Sequence, residues 1–137
     1  MSKFHSLTIN KINQLTNDAV EISFDISNTD IFSFVSGQYI TIKHQINNKD
    51  VRRAYSICSS PEEGLSIGVK LVEGGKMSSF LTKEVKEGDV LEVMPPLGNF
   101  VINDNKNNVV GICAGSGITP VLSMIKSILS DNSERKF

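Results

Sequence analysis

Arg53, Tyr55 and Ser56 set a cation, an aromatic ring and a hydroxyl within one short stretch, ahead of Ile57, Cys58, Ser59, Ser60 and Pro61. A guanidinium offers a planar fork of donors that suits phosphate, and a phenol can stack on a heteroaromatic ring while its hydroxyl stays bonded. If the stretch is a β-strand, Arg53 and Tyr55 leave one face, and Ala54 and Ser56 the other. One face could then hold an anion together with a ring system, with Ser56 a small donor beside them. The same residues also suit an ordinary exposed strand that ends in a Ser-Ser-Pro turn, so the rest of the chain must decide.

Two further stretches have a composition suited to phosphates. Residues 74–79, Gly-Gly-Lys-Met-Ser-Ser, precede apolar Phe80, Leu81 and Val85, which predicts a helix of about two turns with a serine able to cap it. Unpaired amides and the dipole at such a helix start favour an anion such as pyrophosphate, and glycines let a ligand approach the main chain. A plain helix cap is the competing reading. Residues 109–113, Val-Val-Gly-Ile-Cys, form a continuous apolar run of the kind found in a strand buried on both faces of a parallel sheet. Gly115, Ser116, Gly117, Ile118, Thr119 and Pro120 then turn the chain into Val121, Leu122, Met124, Ile125, Ile128 and Leu129, whose spacing predicts a helix to about Ser130. Strand, glycine turn and helix make the first half of a βαβ unit. The turn resembles a dinucleotide fingerprint in which Pro120 replaces the third glycine, a substitution the first helical turn accepts. The acidic ribose reader of that fingerprint normally lies on a second strand, and Glu134 is not assigned the role.

The elements that must position these stretches are mostly strands. Thr8, Ile9, Ile12 and Leu15 open in a strand-like pattern, a turn follows at 16–18, and residues 20–26 alternate apolar with polar. Residues 39–43 alternate again, residues 47–50 form a polar tip, and Val51 starts the strand that carries Arg53. A hairpin at 61–64 returns through 65–72, residues 90–94 form another strand, and residues 95–100, Pro-Pro-Leu-Gly-Asn-Phe, read as a rigid turn into Val101 and Ile102. About six short strands with hairpin spacing and one helix predict a mainly β fold, a six-stranded antiparallel Greek-key barrel, because closure removes sheet edges. The expected organisation is a barrel over 1–103, a polar linker over 104–108, and the strand–helix start of an α/β domain over 109–137.

Composition narrows the function. With 137 residues, 39% hydrophobic, and a net charge of −1, the chain can bury a real core and shows no electrostatic footprint for nucleic acid or an anionic membrane. No apolar run approaches the roughly 20 residues of a membrane span, and no secretory signal is apparent, so a cytoplasmic protein is expected. Cys58 and Cys113 lack metal-ligand spacing and read as reduced, buried thiols, while His5 and His44 read as surface or strand residues, so no metal site is predicted.

Arg-Ala-Tyr-Ser at 53–56, Gly-Gly-x-x-Ser at 74–78 and Gly-Ser-Gly-Ile-Thr-Pro at 115–120, in that order, resemble the three motifs of the ferredoxin–NADP reductase superfamily. Residues 4–8, 53–58, 69–70 and 91–94 further resemble the subgroup of phenylacetyl-CoA epoxidase reductase subunits and their iron–sulfur flavoprotein relatives. The resemblance implies FAD on the barrel: Arg53 on the diphosphate, Ala54 within the motif, Tyr55 against the isoalloxazine ring, and Ser56 near its reactive N5, Tyr55 and Ser56 being the catalytic pair. It also implies that Val69 and Lys70 flank the adenylate part, and that Gly75, Lys76, Met77, Ser78 and Ser79 bind the diphosphate. Thr119 would touch the flavin from the second domain, and Gly115, Ser116, Gly117 and Pro120 would help to seat NAD(P)H.

The implied activity is an oxidoreductase that passes electrons from NAD(P)H through FAD to an iron–sulfur protein or domain, or to an oxygenase component, in phenylacetate or other aromatic degradation. Members of the superfamily continue for about one more domain, so the chain is expected to be a fragment with an incomplete NAD(P)H site. Its strand–helix tail is expected to pack on the barrel or on a second copy of itself. The alternative is an FAD-binding electron-transfer or assembly module without NAD(P)H activity of its own.

Overall fold

The computed structural model describes residues 3–103, 107–131 and 134–137. Strands β1 (His5–Thr16), β2 (Ala19–Phe24), β3 (Tyr39–Ile46), β4 (Lys49–Ser56), β5 (Leu65–Lys70) and β6 (Val90–Leu97) form one antiparallel sheet in the order β4-β3-β6-β1-β2-β5. Helix α1 (Lys76–Lys83) lies between β5 and β6 in sequence, and α2 (Ile118–Ser130) follows the sheet.

The alternation in the sequence sets the buried face. Val20, Ile22 and Phe24 of β2 stand opposite Val69, Ile67 and Leu65 of β5, and all six are buried. Leu7 and Ile9 of β1, Ile40 and Ile42 of β3, and Leu91 and Val93 of β6 join the same core, closed over by Phe32, Phe34, Met77 and Leu81. Slipping one strand by one residue would turn its apolar set to solvent, so this pattern pins the register. Asn47 and Asn48 join β3 to β4 with φ of 51° and 58°, a two-residue turn whose twist matches its strands. Helix α1 packs against β3, β4 and β5, and its Phe80 ring stacks on His44 at 3.9 Å, nearly parallel.

Six antiparallel strands and a mainly β fold agree with the sequence, but four expectations need correction. The sheet curls without closing into a barrel: among the described residues its edge strands β4 and β5 form no ladder with each other, and just past the end of β4 an isolated Ile57–Ile67 bridge and a bond from the Cys58 amide to the Ser66 carbonyl, 2.9 Å, join the chain to β5. Pro95 and Pro96 extend β6 rather than turning the chain, and the β3–β6 register shifts between the Thr41–Met94 and Tyr39–Leu97 pairs. A proline gives no amide to a ladder, and an irregular step of this kind accommodates it.

Residues 109–113 form no strand, and Val110 and Ile112 are 87% and 94% exposed. A parallel strand needs a neighbour, and none of the described strands pairs with this segment. The chain's last residues lie against it instead, with the Val109 amide donating to the Lys136 carbonyl at 3.0 Å. For the same reason Cys113 is exposed, whereas Cys58 is buried as expected. Most of the expected linker, residues 104–106, falls outside the described residues. Helix α2 buries Val121, Ser123, Met124 and Ile128 and meets the loops between the strands, with the Ser123 hydroxyl on Ser59 and Lys126 on Glu63.

Candidate cofactor site

The unclosed edge of the sheet is where the predicted chemistry collects. Beyond the Ile57–Ile67 bridge β4 and β5 diverge, leaving Ala54, Tyr55 and Ser56 on one side of a gap and Gly68, Val69 and Lys70 on the other. Leu15, Ala19, Leu71 and Val72 extend the walls, and Gly115, Ser116, Ile118 and Thr119 come across from the start of α2. The resulting cleft has a volume of about 740 Å³, within the roughly 300–1,000 Å³ usual for small-molecule sites. Two facing edge strands leave main-chain amides and carbonyls without a ladder partner, and these can bond the polar rim of a planar ring.

The β3–β4 register bears out the alternation of the motif. Arg53 and Tyr55 stand opposite Ile42 and Ile40, and Ala54 and Ser56 opposite Thr41 and Tyr39. Tyr55 is half-buried against the core, and burial pushes its phenol above its ordinary value while the Arg53 guanidinium pulls it partway back. The phenol is therefore neutral near pH 7, a ring for stacking and a hydroxyl for bonding. The Arg53 side chain is exposed just outside the cleft and donates to the Arg52 carbonyl at 2.7 Å.

The structure separates the helix-start residues from the cleft wall. Met77 and Ser78 are buried, so their side chains are committed to the fold. The helix is not capped by a serine as expected; Gly75 occupies that position, and the Ser78 hydroxyl accepts from the Val72 amide at 3.1 Å and donates to the Gly75 carbonyl at 3.3 Å. A side chain on Gly75 would sit 2.5 Å from that hydroxyl, which explains the glycine. The Ser79 amide is taken by the Gly75 carbonyl at 3.1 Å. What this loop can offer an anion is the first-turn amides of Lys76, Met77 and Ser78, for which the helix supplies no partner, and the exposed Lys76 side chain. Val72 ties it to the cleft, lining the wall and meeting Gly75.

Val69 is 1% exposed, so its side chain belongs to the core and only its main chain can border a ligand. Lys70 is exposed and pairs with Asp18 at 3.7 Å. Thr119 reaches β5, where its methyl would lie 3.1 Å from a Cβ on Gly68. Gly117 and Pro120 do not line the cleft, and Pro120 is buried in the first turn of α2. Gly68, Leu15 and Ala19 carry no motif signal, and only the pairing of β1, β2 and β5 brings them here. Cys58 takes no part: burial first, and Glu21 beside it, push its thiol up to about 12.

A curled antiparallel sheet with a ring-sized open edge, a cation and a phenol on that edge, and a glycine-rich helix start at its end define a nucleotide-cofactor-binding domain. The chain belongs to the oxidoreductase FAD-binding domain family, whose model matches residues 6–102. It is 38% identical over 143 residues to a 1,2-phenylacetyl-CoA epoxidase subunit of Escherichia coli (strain K12), covering 100% of this chain and 40% of that protein. It is 41% identical over 100 residues to a flavohemoprotein of Pseudomonas aeruginosa, covering 72% of this chain and 25% of that one. Among solved structures, phthalate dioxygenase reductase, described as modular for electron transfer from pyridine nucleotides to [2Fe-2S], superposes with a TM-score of 0.81 at 27% identity, over 98% of this chain and 42% of that one. The chain thus spans less than half the length of each of these relatives. The superfamily expected from the three motifs is borne out, and FAD is the cofactor of the family.

Proposed function

We propose that this chain is the flavin-carrying part of an electron-transfer reductase, one that takes electrons from NAD(P)H and passes them through FAD to an iron–sulfur or oxygenase partner. The observation that carries the reading is the open β4–β5 edge, which gathers Ala54, Tyr55 and Ser56 opposite Gly68 and Lys70 beneath the Gly115–Gly117 turn. FAD, when bound, accepts a hydride and releases single electrons, chemistry that no amino-acid side chain supplies.

The chain's own residues divide the remaining work. Tyr55 stacks against the ring system, Ser56 offers a hydroxyl near its reactive edge, and the Ala54 main chain bonds its rim. Arg53, exposed at the mouth, neutralises the diphosphate together with the Lys76, Met77 and Ser78 amides. Val69 and Lys70 border the adenylate end. Gly115, Ser116 and Thr119 cover the opposite side and, with Gly117 and Pro120 shaping the turn, form the start of a nicotinamide seat. In this division the flavin domain ends near residue 103, and the nucleotide-binding part begins near 109. The likeness to an epoxidase subunit and to an oxygenase reductase supports an oxygenase system as electron acceptor, with aromatic acid breakdown as the setting.

Titration of the chain with FAD, read by quenching of flavin fluorescence, tests the cofactor site. Saturable binding of one FAD per chain is expected, and absence of binding overturns the reading. Anaerobic addition of NADH or NADPH to the loaded chain then separates the two functional versions. Bleaching of the flavin supports a nicotinamide-dependent reductase, and bleaching only when a reduced protein partner is supplied supports an electron-transfer module without NAD(P)H activity.

A further inference from the structure

Helix α2 brings Gly115, Ser116, Ile118 and Thr119 to the cleft, so something must fix where it sits. Residues 57–64, the elbow that joins β4 to β5, provide two attachments. The Ser123 hydroxyl donates to the Ser59 carbonyl at 2.5 Å, with both serines almost fully buried. Lys126 pairs with Glu63 at 3.0 Å near the surface.

The elbow is itself rigid. The Ser59 hydroxyl donates to the Gly64 carbonyl at 2.6 Å and accepts the Ser66 amide at 2.9 Å, while Glu63 accepts the Ser60 amide at 2.9 Å. Ser123 and Thr119 lie four residues apart on α2 and so share a helix face. The face pinned to the elbow at Ser123 is therefore the face that lays Thr119 against Gly68.

We propose that the Ser59–Ser123 bond, assisted by the Glu63–Lys126 pair, is a latch that sets the height of the Gly115–Thr119 turn above the cleft. Ser123 is a positioning residue: it touches no ligand, yet it fixes the residues that do. The inference rests on the cleft being a cofactor seat, but the latch exists in the FAD-free chain and can be tested there. An alanine at 123 leaves the Ser59 carbonyl buried without its donor, the costly half of losing a hydrogen bond.

Hydrogen–deuterium exchange of the FAD-free chain is the deciding measurement. Ser123→Ala is expected to lower amide protection across residues 118–130 by about tenfold, with protection in β1, β2 and β6 unchanged. Lys126→Gln, at a partly exposed site, should give a smaller loss confined to the same helix, and Leu129→Ala, on the exposed side of α2, should give none. Unchanged α2 protection in Ser123→Ala overturns the latch, as does an equal fall in α2 and the strands, which marks global destabilisation. A second arm uses FAD affinity: Ser123→Ala should bind FAD severalfold more weakly than the parent chain. If the parent chain binds no FAD, the cofactor reading fails while the exchange result still decides the latch.

Discussion

The two sides of the sheet are built from the same kind of strand and do opposite things. Around β3, β6, β1 and β2 every neighbour is paired, and Ile22, Ile40, Ile42 and Val93 are wholly buried. Between β4 and β5 pairing stops after one bridge, and the walls keep a half-buried tyrosine, an exposed lysine and a glycine. Full closure would spend the main-chain groups of both edges on each other. Leaving the seam open reserves them for a ligand, and the paired side must supply the stability that is forgone.

This contrast makes sharp predictions. The largest effect is expected from Ile42→Ala, which removes a buried side chain on the paired side and should cost about 2–5 kcal/mol in a urea unfolding experiment. Arg53→Ala, on the seam, should leave the urea midpoint nearly unchanged and weaken FAD binding by roughly ten- to a hundredfold, the range for a lost charge-assisted hydrogen bond. If Arg53→Ala unfolds the chain, or Ile42→Ala spares stability, the division between the sides fails.

Gly68→Ala places a Cβ 3.1 Å from the Thr119 methyl. It should weaken FAD binding about two- to fivefold, by tilting the start of α2 away from β5, with little change in stability.

The smallest effect concerns pH. Burial alone would raise the Glu63 carboxyl, but the Ser60 amide and the Lys126 ammonium outweigh it and hold the group below its ordinary value. A carboxylate with a lowered folded value contributes stability that is present above the unfolded value and lost as pH falls through the folded one. Amide protection of α2 should therefore decline modestly as pH drops below about 4.5, and Glu63→Gln should flatten that decline. An identical acid profile in the variant removes Glu63 as the cause.

Much of this was legible in the chain itself. Period-two alternation in 20–26 and 39–43 marked the strands and their buried faces, because a half-buried strand admits little else. The Arg53-to-Ser56 order marked the face that carries the cation and the ring. Two misreadings share a cause. Residues 109–113 look like a buried strand because Val109, Val110, Ile112 and Cys113 have the right composition, yet a strand is a relation between segments, and composition cannot supply the neighbour. The loop's serines suit a cap because serine caps helices, but Gly75 takes that position and the Ser78 hydroxyl bonds both the Val72 amide and the Gly75 carbonyl, a geometry set by how the loop folds back.

Local periodicity and residue chemistry were enough to mark most of the sheet's strands, their buried faces, and the three motifs that name the family. Three features had to await the folded chain: the sheet stays open between β4 and β5, Gly68 rather than a motif residue meets Thr119, and Ser123 ties α2 to the elbow at Ser59. The last two join residues roughly 50 or more positions apart, and they form only once the folded chain brings the strands, the elbow and α2 together. The open seam likewise depends on how far the whole sheet curls, which no single strand specifies.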